Sequence, residues 1–165
     1  MAEIVELNEF FVKGQCYCLN QHIEHPFSNL FIGDSSLYLQ SDVDEQLLLN
    51  LVFRTTVKIN SIDFVGPHDE TGPATVKLFV NLSNPGFADV EDVEPAQTIS
   101  LNPQDLEPNS RINLKVVKFL HVNSLTIYIP ENNGGEQTIL SGLKIFGQAL
   151  DNVNVAAIRE RKQEG

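Results

Sequence analysis

The feature that most constrains this chain is a repeated two-residue alternation of polar and apolar side chains, in short runs broken by strong turn signals. Val57-Lys58-Ile59-Asn60-Ser61-Ile62-Asp63-Phe64 and Thr75-Val76-Lys77-Leu78-Phe79-Val80 carry it most clearly. A period of two places alternate side chains on opposite faces of an extended strand, so each such run reads as a strand with one buried face. Ser36 to Gln40, Lys115 to Leu120, Ser124 to Ile129 and Ile139 to Gly147 read the same way, and Gln46 to Phe53 reads as a buried strand. β-branched and aromatic residues dominate these runs, as a pleated, half-buried surface favours. Gly66-Pro67, Gly72-Pro73, Asn84-Pro85-Gly86 and Asn132-Asn133-Gly134-Gly135 punctuate them. About seven short strands separated by turn signals predict an all-β sandwich or jelly roll. No helical stretch of roughly 10–12 residues separates successive strands, which argues against a parallel α/β sheet.

Composition narrows the function classes. The chain has 165 residues, 42% hydrophobic and 20% charged, which is the balance of one globular domain. A chain of this size buries roughly two-thirds of its unfolded surface and needs no metal or disulfide to fold. Asp plus Glu number 22 against 11 Lys plus Arg, a net charge of −11. Such a chain repels phosphate backbones, so neither nucleic acid nor an anionic membrane is expected as a partner, and a soluble monomer is favoured. Glu3, Glu6 and Glu9 occupy the place where a basic, then apolar, secretory leader would stand. The apolar stretch Leu47 to Phe53 is interrupted by Asn50 and falls far short of the ~18 residues of a membrane span. A soluble intracellular protein is expected. The ends differ from the middle. Residues 4–11 read as one short helix or an extended arm, which sets an N-terminal arm (1–13) apart from a domain over 14–150. Residues 151–165 mix Val153, Val155 and Ile158 with Arg159, Arg161 and Lys162, and read as a short helix or a tail that orders against a partner.

Candidate chemistry is sparse. The histidines are His22, His25, His68 and His121, and no nucleophile elbow or H-E-x-x-H accompanies them. Cys16 and Cys18 form a C-x-C, not the C-x-x-C of a thioredoxin-type redox site, and read as two reduced cysteines. With His22 and His25 they supply four zinc-ligand types, but zinc motifs separate their two pairs by a longer loop, and His25 precedes Pro26. Asp42-Val43-Asp44-Glu45 invites a calcium reading that fails the EF-hand spacing after Asp44; three acids before a strand read better as a solvated turn. Asp89-Val90-Glu91-Asp92-Val93-Glu94 reads as an acidic loop, either solvated or facing a basic partner. Lys58, Lys77, Lys115, Lys118 and Lys144 punctuate the strands, either as guards against edge pairing or as a basic strip. A sugar site is disfavoured because the chain has no Trp.

Longer motifs run in order along the chain. Gly14-Gln15-Cys16-Tyr17-Cys18-Leu19-Asn20 is similar to a G-x-x-C-x-C-L-N opening. Leu39-Gln40-Ser41-Asp42-Val43-Asp44-Glu45-Gln46-Leu47-Leu48 is similar to an L-x-S-D-x-D-E-Q-L-L signature. Gly66-Pro67 through Gly72-Pro73-Ala74-Thr75-Val76-Lys77-Leu78-Phe79-Val80-Asn81, then Val117-Lys118-Phe119 and Val122 to Ile127, complete the series. Together they resemble the PITH domain, the proteasome-interacting module found after thioredoxin in thioredoxin-like proteins and also by itself. The resemblance implies a galactose-binding-like β-sandwich jelly roll in cytosol and nucleus that docks on the regulatory particle of the 26S proteasome. It implies no catalytic residues and no cofactor. No thioredoxin domain precedes the motifs here, so a stand-alone member or a C-terminal half is expected. The residues expected to bind the partner are Asp42, Asp44, Glu45 and Lys118, with Arg159, Arg161 and Lys162 of the tail. The alternative is a domain that binds a small ligand, a carbohydrate or a calcium-dependent one, at its loop end.

Overall fold

The computed structural model describes residues 3–34 and 36–150. In chain order its elements are β1 (Val5–Glu6), β2 (Tyr17–Leu19), β3 (Leu39–Gln40), β4 (Leu47–Val65), β5 (Pro73–Val80), α1 (Phe87–Asp92), β6 (Gln97–Ser100), β7 (Ile112–Asn113), β8 (Val122–Asn132), β9 (Ile139–Leu140) and β10 (Gly142–Ala149). One long strand organises them. Residues 47–52 of β4 pair with β8 on one side and with β2 on the other. Residues 57–65 pair with β10 and β7, with only Val57 still opposite β8, at Val122. The register with β8 is interrupted between Val52 and Val57, so β4 passes from one layer to the other through Phe53–Thr56. One layer runs β2–β4–β8–β5–β6 and the other β7–β4–β10–β1, with every pair antiparallel. β3 and β9 form a separate two-stranded ribbon.

The main core follows from the period of two. Leu47, Leu49 and Leu51 of β4 face inward with Leu125, Ile127 and Ile129 of β8 and Val76 and Leu78 of β5. In the other layer Val57 and Ile59 and, past the register shift opposite Phe146 and Gly147, Ile62 and Phe64 face inward beside Leu143 and Ile145 of β10. Each such side chain contributes about 1.5–3 kcal/mol by leaving water. The opposite parity builds a second, smaller core on the outer face of the first layer: Leu48, Phe79 and Tyr128 lie under Val90 of α1, with Tyr17, Leu19, Leu82 and Phe87 at its margin. On that same face the Thr126 hydroxyl donates to Asn50 Oδ1 at 2.7 Å, so both buried polar groups are satisfied.

Several local expectations are corrected. Lys115–Leu120 is not a strand: Val116–Lys118 form a 3₁₀ turn, because only Phe119 enters the core while Val117 is 77% exposed. Tertiary packing of Phe119 overrides the alternation. Of Ser36–Gln40 only Leu39–Gln40 are strand; the Leu37 N–H goes to the Asp34 carbonyl and the Tyr38 carbonyl accepts from Asn29 Nδ2. Gln46–Phe53 and Val57–Phe64 belong to one strand. Ile139–Gly147 is two strands, broken where the Ser141 N–H bonds the Val65 carbonyl. The acidic stretch from Asp89 is largely helical, not loop: α1 spans Phe87–Asp92, with the Asp89 carboxylate accepting the Gly86 N–H at 2.8 Å. Residues 5–11 form β1 and a 3₁₀ turn at Asn8–Phe10, and Leu7, Phe10 and Phe11 join the core.

Candidate interaction surface

The signature loop between β3 and β4 is held from two sides. Asn20 adopts a left-handed φ of 68°, which asparagine tolerates better than most residues. Its Nδ2 donates to Asp44 Oδ1 at 2.8 Å and to the Gln46 carbonyl at 2.7 Å, and its Oδ1 accepts the Val43 N–H at 3.2 Å. From the other side, the Thr138 hydroxyl donates to the Glu45 carbonyl at 2.6 Å and its N–H donates to Ser41 Oγ at 2.8 Å. Gln137 Nε2 reaches the Asp42 carbonyl at 3.3 Å. Asp44 is therefore partly a fastener, also accepting the Gln46 N–H at 3.0 Å. The loop so fixed projects Asp42 into solvent and leaves Val43 80% exposed, with Glu45 at the base.

This loop and α1 meet around one tyrosine. Tyr128 lies opposite Leu48 in the β4–β8 register, immediately after the loop, and packs under α1. Its phenol pKa is raised, first by burial and then by the charges of Glu91, Asp44 and Glu45. Tyr17 is raised likewise by burial and by Asp89, and its hydroxyl donates to the Pro85 carbonyl at 2.7 Å. Two acidic segments far apart in sequence thus border the same small core. Asp42 and Asp44 on one side, and Asp89, Glu91 and Asp92 on the other, are exposed. The sequence motif singled out the carboxylates; it gave no sign of Asn20, Thr138 or Tyr128 as their supports, since those contacts cross 24 to 93 residues of chain.

Lys118 stands apart, exposed on the 3₁₀ turn beside a shallow pocket lined by Phe79, Val80, Leu82 and Val93–Ala96. Arg159, Arg161 and Lys162 lie outside the described residues. Lys144 lines a different concavity, an open groove of about 1130 Å³ walled by Phe11, Phe27, Phe31 and Leu143. The His22 and His25 rings are 5.4 Å apart and His25 stacks on Tyr38 at 4.2 Å. Among the described residues no three His, Cys, Asp or Glu side chains come together as metal ligands. The two thiols are free. Burial raises both: the more deeply buried Cys18 is pushed up to about 12, and at Cys16 the Val52 N–H, 3.2 Å from its sulfur, works against the rise.

Comparison with known proteins places the chain. The PITH domain family model matches residues 2–163, and the chain belongs to that family. It is 41% identical over 142 residues to thioredoxin-like protein 1 of Schizosaccharomyces pombe, covering 82% of this chain and 49% of that protein. It is 35% identical over 136 residues to human PITH domain-containing protein 1, covering 79% and 64% respectively. The chain therefore spans about half the length of the first of these relatives and just under two-thirds of the second. Among solved structures it superposes on CBM32-3 from a family 31 glycoside hydrolase of Clostridium perfringens, with TM-score 0.57 and 15% identity over 86% of this chain and 97% of that one. The CBM32 of AlyQ gives TM-score 0.63 at 7% identity, with coverages of 86% and 97%. At such identities these neighbours show the fold alone, the galactose-binding-like β-sandwich.

Proposed function

We propose that this PITH domain is a non-catalytic interaction module that docks on the regulatory particle of the 26S proteasome through the acidic face formed by the β3–β4 loop and α1. The observation that carries the reading is the convergence of Asp44 and Glu45 of the β3–β4 loop with Glu91 of α1 around Tyr128, the loop being clamped from both sides before any partner arrives. A loop already held in one geometry loses little entropy on binding. Exposed Val43 adds an apolar contact between the carboxylates, and carboxylates at a rim orient the encounter with a basic surface. A face of roughly 800 Å² fits a domain of this size. Retention of regulatory-particle subunits from cell lysate on the immobilised chain, read by mass spectrometry, tests it. Enrichment at low salt that fades at moderate salt is the expected pattern, because exposed charges are screened beyond about 10 Å at 0.1 M. Absence of these subunits at both salts would count against it.

The second reading, a small-ligand domain, is favoured by the groove of about 1130 Å³ beside β10. A rise in melting temperature with simple sugars or calcium would support it, since a ligand stabilises the state it binds.

A further inference from the structure

The outer face of the second layer carries a row of cations on an otherwise acidic protein. Val57, Ile59, Leu143 and Ile145 turn into the core, so Lys144, Phe146 and Gln148 of β10 point outward, as do Lys58, Ser61 and Asp63 of β4. The register sets Lys144 beside Asp63, Phe146 beside Ser61 and Gln148 beside Lys58. Arg111, immediately before β7, lies across this row: its guanidinium carbon is 3.6 Å from the centre of the Phe146 ring.

Arg111 is held there against its own backbone. Its φ of 47° is left-handed, a conformation that disfavours any residue with a Cβ and persists only where the surroundings impose it. The Arg111 N–H donates to Asp63 Oδ1 at 2.6 Å, and Nε lies 3.8 Å from the same oxygen. Asp63 is 2% exposed, so it anchors the arginine from beneath while the Phe146 ring holds the guanidinium by a cation–π contact. The Arg111 side chain is nevertheless 46% exposed, and among the described residues its two terminal nitrogens make no hydrogen bond. Lys58 and Lys144 have no carboxylate within 4 Å among those residues. Glu6 of β1, opposite Phe146, marks the acidic margin of the row.

We infer that this face binds an extended acidic segment of a second protein, with carboxylates on Lys144, Arg111 and Lys58. A guanidinium oriented in advance loses little freedom on pairing and offers a carboxylate its planar fork. Outward residues of one strand recur roughly every 7 Å, the same repeat as alternate residues of an extended segment laid along it. Charge selects the occupant: the net charge is −11, and an acidic segment is repelled by the β3–β4 loop and α1 but attracted here. The basic surface that suits the acidic face does not suit this one, so the segment belongs to a protein other than the regulatory particle. The inference goes beyond the docking reading and does not rest on it.

The test is titration of the ¹⁵N-labelled chain at low salt with two blocked pentapeptides, Glu-Thr-Glu-Thr-Glu and Gln-Thr-Gln-Thr-Gln. Saturable shifts at the amides of Arg111, Asn113, Lys144 and Phe146 are expected with the first peptide and none with the second. Lys144→Gln and Arg111→Gln are each expected to weaken the first peptide by about two- to fivefold, the range of one exposed ion pair. Lys144 is exposed, so its variant keeps the fold, and the bond from the Arg111 N–H to Asp63 is a backbone one that the second variant retains. Lys118→Gln, at a lysine exposed elsewhere, is expected to bind like the parent. Absence of saturable shifts at these amides, equal binding of the two peptides, or a loss with Lys118→Gln as large as with Lys144→Gln would overturn the inference. The titration contains no proteasome component, so its failure would leave the docking reading to its own test.

Discussion

Asn20 shows how much of the surface depends on one side chain. A left-handed backbone disfavours residues that carry a Cβ by roughly 1–2 kcal/mol, and an asparagine side chain offsets this by local hydrogen bonding. Here that side chain also holds Val43, Asp44 and Gln46. Asn20→Ala is expected to lower stability by about 2–3 kcal/mol in denaturant unfolding, and Asn20→Gly by about 1 kcal/mol less, because glycine relieves the backbone term. Equal losses in the two variants would show that the backbone conformation contributes nothing. Cys18 makes a pH-dependent prediction. Its thiol titrates near 9 when unfolded and at about 12 when folded. Between those values the unfolded chain has released a proton that the folded chain keeps, so stability falls as pH rises through that window. Cys18→Ala is expected to flatten the decline in melting temperature between pH 9 and 12. A decline as steep as that of the parent chain would assign it to other groups, among them Tyr17 and Tyr128, whose raised pKa values act in the same direction.

At the scale of elements, the two layers are joined by β4 and locked by a bulge. Where β10 shifts register between Phe146 and Gly147, a Cβ on Gly147 would lie 1.8 Å from the Lys58 carbonyl oxygen. Gly147→Ala must therefore displace backbone, and is expected to leave the chain largely unfolded or insoluble at 37 °C; a variant with the melting temperature of the parent would contradict this register. Alternation along Val57–Phe64, Thr75–Val80 and Ser124–Ile129 made the central strands legible, because one set of side chains in each run enters the main core. The same pattern over Lys115–Leu120 misled, because burial of Phe119 alone decides that segment. Asn8 shows a contact that periodicity cannot reveal: its side chain accepts the Ile145 N–H at 3.0 Å and donates to the Leu143 carbonyl at 2.8 Å, standing in for a neighbouring strand. The acids of the candidate face were visible in the Asp42–Glu45 motif. Their meeting with α1 was not, since it depends on Val90 settling over the outer face of β4, β5 and β8.

For the whole molecule, a net charge of −11 sets the long-range field, and the acidic loop and α1 concentrate part of it on one surface. Such a field speeds approach to a basic partner and weakens steeply with salt. Docking through the acidic face is tested by the affinity of purified 26S regulatory particle for the immobilised chain, compared with an Asp42→Lys/Glu45→Lys variant and a Lys144→Glu control at the groove beside β10. At low salt the double variant is expected to bind at least about tenfold more weakly, since each rim charge reversed alters an interaction of up to ~1 kcal/mol from attraction to repulsion. The Lys144→Glu control is expected to bind like the parent. Equal affinity of parent and double variant at both low and moderate salt would contradict docking through this face.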